Sequence, residues 1–144
     1  MAISVKRVTL WRASVDNRPG ALARILAGQA AAGASLEVVM GYAVPGEHAH
    51  AVVEIHPVKA KKAMAAAQAA GLSASSTPTL LVSGDDRPGL GHAMAQALGD
   101  AGINLSFMVA QVVGRRYSAV FGFESEADAG RAAGLIKKAA ARKK

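Results

Sequence analysis

Asp85-Asp86-Arg87-Pro88-Gly89, running on to Ala101-Gly102-Ile103-Asn104-Leu105, decides the fold because it occurs twice. Asp16-Asn17-Arg18-Pro19-Gly20 continues to Ala32-Gly33-Ala34-Ser35-Leu36 in the same register. Asp, Arg, Pro and Gly match pairwise without a gap, as do the later Ala, Gly and Leu. Internal repetition sets the architecture before any local pattern does. Each copy reads as a loop feeding a helix: Pro suits a first helical turn, where its missing N–H costs nothing. Gly33 and Gly102 stop those helices.

With 144 residues, the repeat implies two small domains, 1–76 and 77–144. Units of that size bury little surface alone, so they are expected to pack on each other or on a second chain. Hydrophobic residues make up 51% and charged ones 19%, the composition of a packed globular protein. There is no cysteine, which excludes a disulfide scaffold, a Cys-ligated zinc site and a Cys nucleophile, and suits a reducing compartment. The stretch from Met1 to Leu10 places Lys6 and Arg7 in an alternating pattern with no signal-peptide core. No apolar run is long enough for a bilayer, so a cytoplasmic location and no membrane partner are expected. The net charge of +7 is spread over Lys59, Lys61 and Lys62, over Arg115 and Arg116, and over Lys137, Lys138, Arg142, Lys143 and Lys144. That distribution reads as solvated faces and a basic tail rather than a nucleic-acid surface.

Periodicity predicts a strand over 5–14, a helix over 21–32 with Leu22, Ile25 and Leu26 on one side, and strands over 35–42 and 48–56. A helix over 58–70 with Met64 inside and a short strand over 72–76 complete the first unit. The second unit opens with a strand over 79–84 and a helix striped by Leu90, Met94, Leu98 and Ala101. Strands over 104–113 and 117–123 follow, then a Ser125-capped helix with Glu126 and Asp128 in its first turn. The order βαββαβ, then βαββα, is α+β and ferredoxin-like. The second copy lacks or borrows its last strand, from residues 139–144 or, preferably, from another segment. The strand over 104–113 is apolar on both sides, so its second face is expected to be covered by the sister unit or another subunit.

The repeated loop suits a small anionic or zwitterionic ligand. A first helical turn leaves N–H groups unpaired beside the positive end of the helix dipole, and a carboxylate there finds donors and field together. Gly20 and Gly89 permit close approach, and Asp16 or Asp85 accepts from an amino group. Asn104 both donates and accepts, whereas its counterpart is the shorter Ser35, so the sites are expected to be unequal and the second copy better equipped. One such loop alone is simply a good turn; two in register point to a site.

Asp-x-Arg-Pro-Gly-x-Leu, a helix, and Gly-Ile-Asn-Leu resemble the ACT domain, a small-molecule regulatory module of amino-acid metabolism. The resemblance covers nearly the whole chain as two tandem copies. The first departs from the pattern at Ala34-Ser35, and the second has Gly91 where the first has Leu22. The resemblance implies an amino acid held between two ACT units, the loop and first turn of one facing the strand after the first helix of the other. Its ligand residues are then Asp16, Asn17, Gly20, Ala21 and Leu22; Asp85, Asp86, Gly89, Leu90 and Gly91; and Asn104 with Leu105 and Ser106. A free-standing regulatory or sensor protein follows, a homodimer and not an enzyme, with an amino-acid-metabolism enzyme as a further partner and no cofactor.

Three alternatives remain open. A nucleic-acid-binding ferredoxin-like protein fits the charge but not the 4% aromatic content. A regulatory subunit that docks on an enzyme needs no ligand of its own. A metal sensor would use His48 and His50, which share a strand face, with His56 in matching parity; these read as surface histidines, as does His92. Ser83, Asp85 and His92 form no triad, and no Walker loop or dinucleotide fingerprint is present.

Overall fold

The structure, a computed structural model, describes residues 3–142. The chain divides into two units: Thr9–Ser76, and the segment ending at Val8 together with the segment beginning at Thr77. Among the described residues no helix is long and apolar enough to cross a membrane.

β1 (Ser4–Val8) leaves its sequence neighbours and joins the second copy. The first copy comprises β2 (Trp11–Asp16), α1 (Ala21–Ala31), β3 (Val38–Ala43), β4 (His50–His56), α2 (Lys61–Ala69) and β5 (Ser73–Ala74). Its antiparallel sheet runs β3-β4-β2-β5. Ala13, Val53 and Ile55 from the strands meet Ile25, Ala63 and Ala67 from the helices in one core. Met64, expected inside, is 38% exposed, and Ala63 and Ala67 take the buried face of α2. The two helices approach so closely that a Cβ on Gly28 would lie 3.2 Å from the Ala66 methyl group.

The second copy comprises β6 (Thr79–Asp85), α3 (Leu90–Asp100), β7 (Leu105–Val113), β8 (Arg116–Phe123) and α4 (Glu126–Ala141). Its sheet runs β1-β6-β8-β7, with β1 antiparallel to β6 from Ser4↔Ser83 to Val8↔Thr79. The missing last strand is therefore borrowed from the start of the chain. This corrects two expectations. The strand over 5–14 is two strands in two sheets, and the residues up to Val8 belong with the second copy, not with a domain 1–76. The physical reason is the open edge of β6, whose unpaired backbone groups need a partner. Arg7 fastens the addition by a fork to Glu126 at the start of α4, at 2.9 and 2.6 Å. That bond holds the Glu126 carboxyl below its ordinary value and raises Arg7. Residues 139–141 end α4; Lys143 and Lys144 lie outside the described residues.

The core of the second copy gathers Leu80, Val82, Leu90, Met94, Leu98, Phe121, Phe123 and Ile136. β7 lies at the edge of its sheet, and Met108, Val109, Val112 and Val113 on it are exposed in the single chain.

Candidate functional site

Both repeated loops end on a glycine in the left-handed region, Gly20 at φ 88° and Gly89 at φ 80°, where other residues are strained. Each glycine is the N-cap of its helix, and neither α1 nor α3 has a side-chain cap or an acid in its first turn. α4 shows the alternative: Ser125 Oγ accepts from the Asp128 N–H at 3.1 Å, with Glu126 and Asp128 beside it. In α1, Ala21 N–H reaches Arg18 O and Arg24 N–H reaches Gly20 O. The N–H groups of Leu22 and Ala23 between them have no partner among the described residues. In α3 the same holds for Gly91 and His92, between the bonds from Leu90 to Arg87 and from Ala93 to Gly89. Both copies therefore carry the open amides of an anion cradle.

The surroundings differ. In the first copy a cleft of about 250 Å³ lies against the loop, lined by Asp16, Asn17, Arg18 and Leu22, by Gly41 and Tyr42 of β3, and by Ala51 of β4. The Leu22 methyl groups lie 3.7 and 3.8 Å from where a Gly41 Cβ would sit, so glycine there leaves space beneath the leucine. Asn17 braces the loop, its N–H on Ala49 O at 2.9 Å and its Nδ2 on His48 O at 3.1 Å. Asp16 and Arg18 form no ion pair and no side-chain hydrogen bond among the described residues. Tyr42 donates to the buried Glu54 carboxylate at 2.9 Å, and burial followed by that carboxylate pushes its hydroxyl pKa up.

In the second copy the same letters are occupied. Arg116 Nη1 lies 3.1 Å from Asp85 Oδ1. Arg87 Nη2 donates to the carbonyls of Ala139 and Ala140 at 3.2 and 3.5 Å, closing the C-terminal end of α4. Tyr117 stands where the first copy has Ala51, because Gly84↔Tyr117 and Val15↔Ala51 are matching rungs. It is 5% exposed, and its hydroxyl has no partner. A Cβ on Gly91 would lie 3.6 Å from that hydroxyl. Burial first, then Asp86, pushes the Tyr117 pKa up. A larger hollow of about 590 Å³ lies between α3 and α4. Its walls include Ala93, Ala97 and Leu135, and Arg87 at its end is already held by α4.

Of the residues singled out in the sequence, Asp16, Asn17, Ala21 and Leu22 meet at the first cleft beside Gly20. Asp85, Asp86, Gly89 and Gly91 lie at the second loop, whereas Leu90 is buried in the core. Asn104, Leu105 and Ser106 lie at the far end of the same sheet: Leu105 is level with Phe123 on β8, and Asp85 with Arg116. Within one unit they do not approach the loop. Sequence reasoning missed Gly41, Tyr42 and Ala51. The signal was there in the antiparallel ladder, which brings the end of β3 level with the end of β2 through Ala43↔Ala51 and Asp16↔His50. Of the histidines, His50 Nδ1 bonds Glu47 Oε1 and His56 Nδ1 lies 3.4 Å from Thr9 O. Among the described residues no three His, Asp or Glu gather as a metal site.

No protein-family model matches the chain, and no curated protein matches it. Solved structures do. Protein BT0572 from Bacteroides thetaiotaomicron superimposes with a TM-score of 0.72 at 13% identity, over 89% of this chain and 87% of that one. The regulatory subunit of aspartate kinase from Thermus thermophilus gives 0.65 at 16% identity, over 96% and 97%. The corresponding subunit from Thermus flavus gives 0.60 at 17%, over 96% and 97%. Two four-stranded sheets, each with two helices, and a likeness that spans nearly all of both chains give one conclusion: this chain shares the fold of those regulatory subunits, two ferredoxin-like α+β units in tandem.

Proposed function

We propose that the protein is a regulatory or sensor protein without catalysis of its own, and that it binds a free amino acid at the loop of the first copy. The observation that carries this reading is the cleft of about 250 Å³ lined by Asp16, Arg18 and Leu22, beside a helix start whose amides are unpaired. The ligand carboxylate sits on the Leu22 and Ala23 N–H groups with Arg18 as its counter-charge. Its amino group meets Asp16. Its side chain lies between Leu22 and Tyr42. The cleft is smaller than sites for drug-sized molecules, as a single amino acid requires.

The exposed apolar edge of β7 supports a homodimer built by strand pairing. Likeness to subunits named as regulatory for aspartate kinase supports an enzyme of amino-acid metabolism as a further partner. A thermal-shift screen of the twenty common amino acids tests the reading. A ligand at a hundred times its Kd adds about 2.7 kcal/mol of stability. Gly20→Val should abolish that shift, because it strains the left-handed cap that holds the loop and the first-turn amides in place.

A further inference from the structure

We infer that the two copies divide the repeated loop between two jobs, a ligand site in the first and a structural clamp in the second. This rests on the amino-acid reading for the first copy. Three differences, over four matched positions, carry it. Arg18 faces the first cleft without a partner, whereas Arg87 is held by the last carbonyls of α4. Asp16 makes no hydrogen bond or ion pair among the described residues and only a weaker electrostatic contribution to His50 across the rung, whereas Asp85 holds Arg116 in an ion pair. The third difference is a size exchange. The first copy has Leu22 above Ala51 and keeps an opening; the second has Gly91 above Tyr117, whose buried ring takes that place.

The exchange is reciprocal, which is why each copy packs. A leucine at 91 would project from a Cβ only 3.6 Å from the Tyr117 hydroxyl, and the glycine removes that conflict. A hydroxyl buried without a partner is unfavourable, so the ring is held there by the packing of its apolar body and not by its oxygen. Tyr117 is thus a plug, and the pair at 22 and 51 against the pair at 91 and 117 determines which loop accepts a guest.

The test is calorimetry of the full chain with each of the twenty common amino acids, alongside melting curves. The expected result is one site per chain. Arg18→Gln should weaken binding at least tenfold and leave Tm unchanged. Arg87→Gln should lower Tm and leave affinity unchanged. Leu22→Gly with Ala51→Tyr moves the plug into the first copy and should abolish binding while the far-UV signal stays that of the parent. In a ¹⁵N–¹H titration the Leu22 and Ala23 amides should shift, and Gly91 and His92 should not. Two sites per chain, or binding lost in Arg87→Gln and kept in Arg18→Gln, overturns the division alone and leaves the amino-acid reading intact. No binding by any of the twenty to the parent removes the amino-acid reading and the division with it.

Discussion

The helix after each loop is spelled on one template, yet α1 turns Ala21, Ile25 and Gln29 inward where α3 turns Leu90, Met94 and Leu98. The second copy is filled with larger apolar groups, and its loop residues are tied into its own structure. The first copy buries a polar Gln29 that donates to Ala63 O at 2.9 Å and leaves its Oε1 without a partner. The same copy keeps the cleft. The difference teaches that two copies of one loop template can be packed differently, one tied into its own helices and the other left open to solvent. Both copies keep open first-turn amides, so what separates them is the surroundings: Asp16 and Arg18 stay exposed to solvent in the first, whereas Asp85 and Arg87 are engaged in the second.

The largest effect should come from breaking the better-packed copy. Leu98→Ala removes a side chain that is 1% exposed and should cost about 2–5 kcal/mol in denaturant titration. Next come the loop glycines. Nothing crowds a Cβ at Gly20 or Gly89, so the stability cost of valine is the left-handed backbone alone, about 1–2 kcal/mol at each. The comparison sharpens in binding, which Gly20→Val should abolish and Gly89→Val should leave in place. Smaller again are two substitutions expected to stabilise. Gln29→Leu gives the first copy the residue of the second, and Tyr117→Phe removes the unpartnered hydroxyl; each should raise stability by about 1 kcal/mol.

The smallest effect is electrostatic. His50 matches Arg116 in the ladder, so an imidazole stands in one copy where the other carries a guanidinium. Hydrogen bonding to Glu47 raises the His50 pKa above its ordinary 6.5. Its contribution is therefore complete below the unfolded value and is lost as pH rises through the folded one. Glu47→Gln should lower the His50 titration, followed by NMR, with only the smaller influence of Asp16 left to raise it.

The repeat, its order of strands and helices, and the glycine caps were all legible along the chain. Local spacing carries them: Leu90, Met94 and Leu98 announce their helix, and Ser125 caps α4 by the bond its position implies. The break between β1 and β2 was not legible, because alternation runs on across Thr9 and says nothing about which sheet each half joins. Met64 misled because hydrophobicity alone places methionine inside, while the phase of α2 turns Ala63 and Ala67 to the core and leaves Met64 on the outer side.

What the sequence by itself determined is the duplicated frame: a loop, a glycine cap and a helix with uncapped amides, repeated in register. Those are short-range consequences of residue type. Only the tertiary structure decided what each loop faces. Whether Arg18 or Arg87 is free, and whether Ala51 or Tyr117 sits beneath the helix, depends on strands brought alongside from far away in the chain. Spacing within a segment carries no record of that neighbour, because side chains meet across the ladder and not along it.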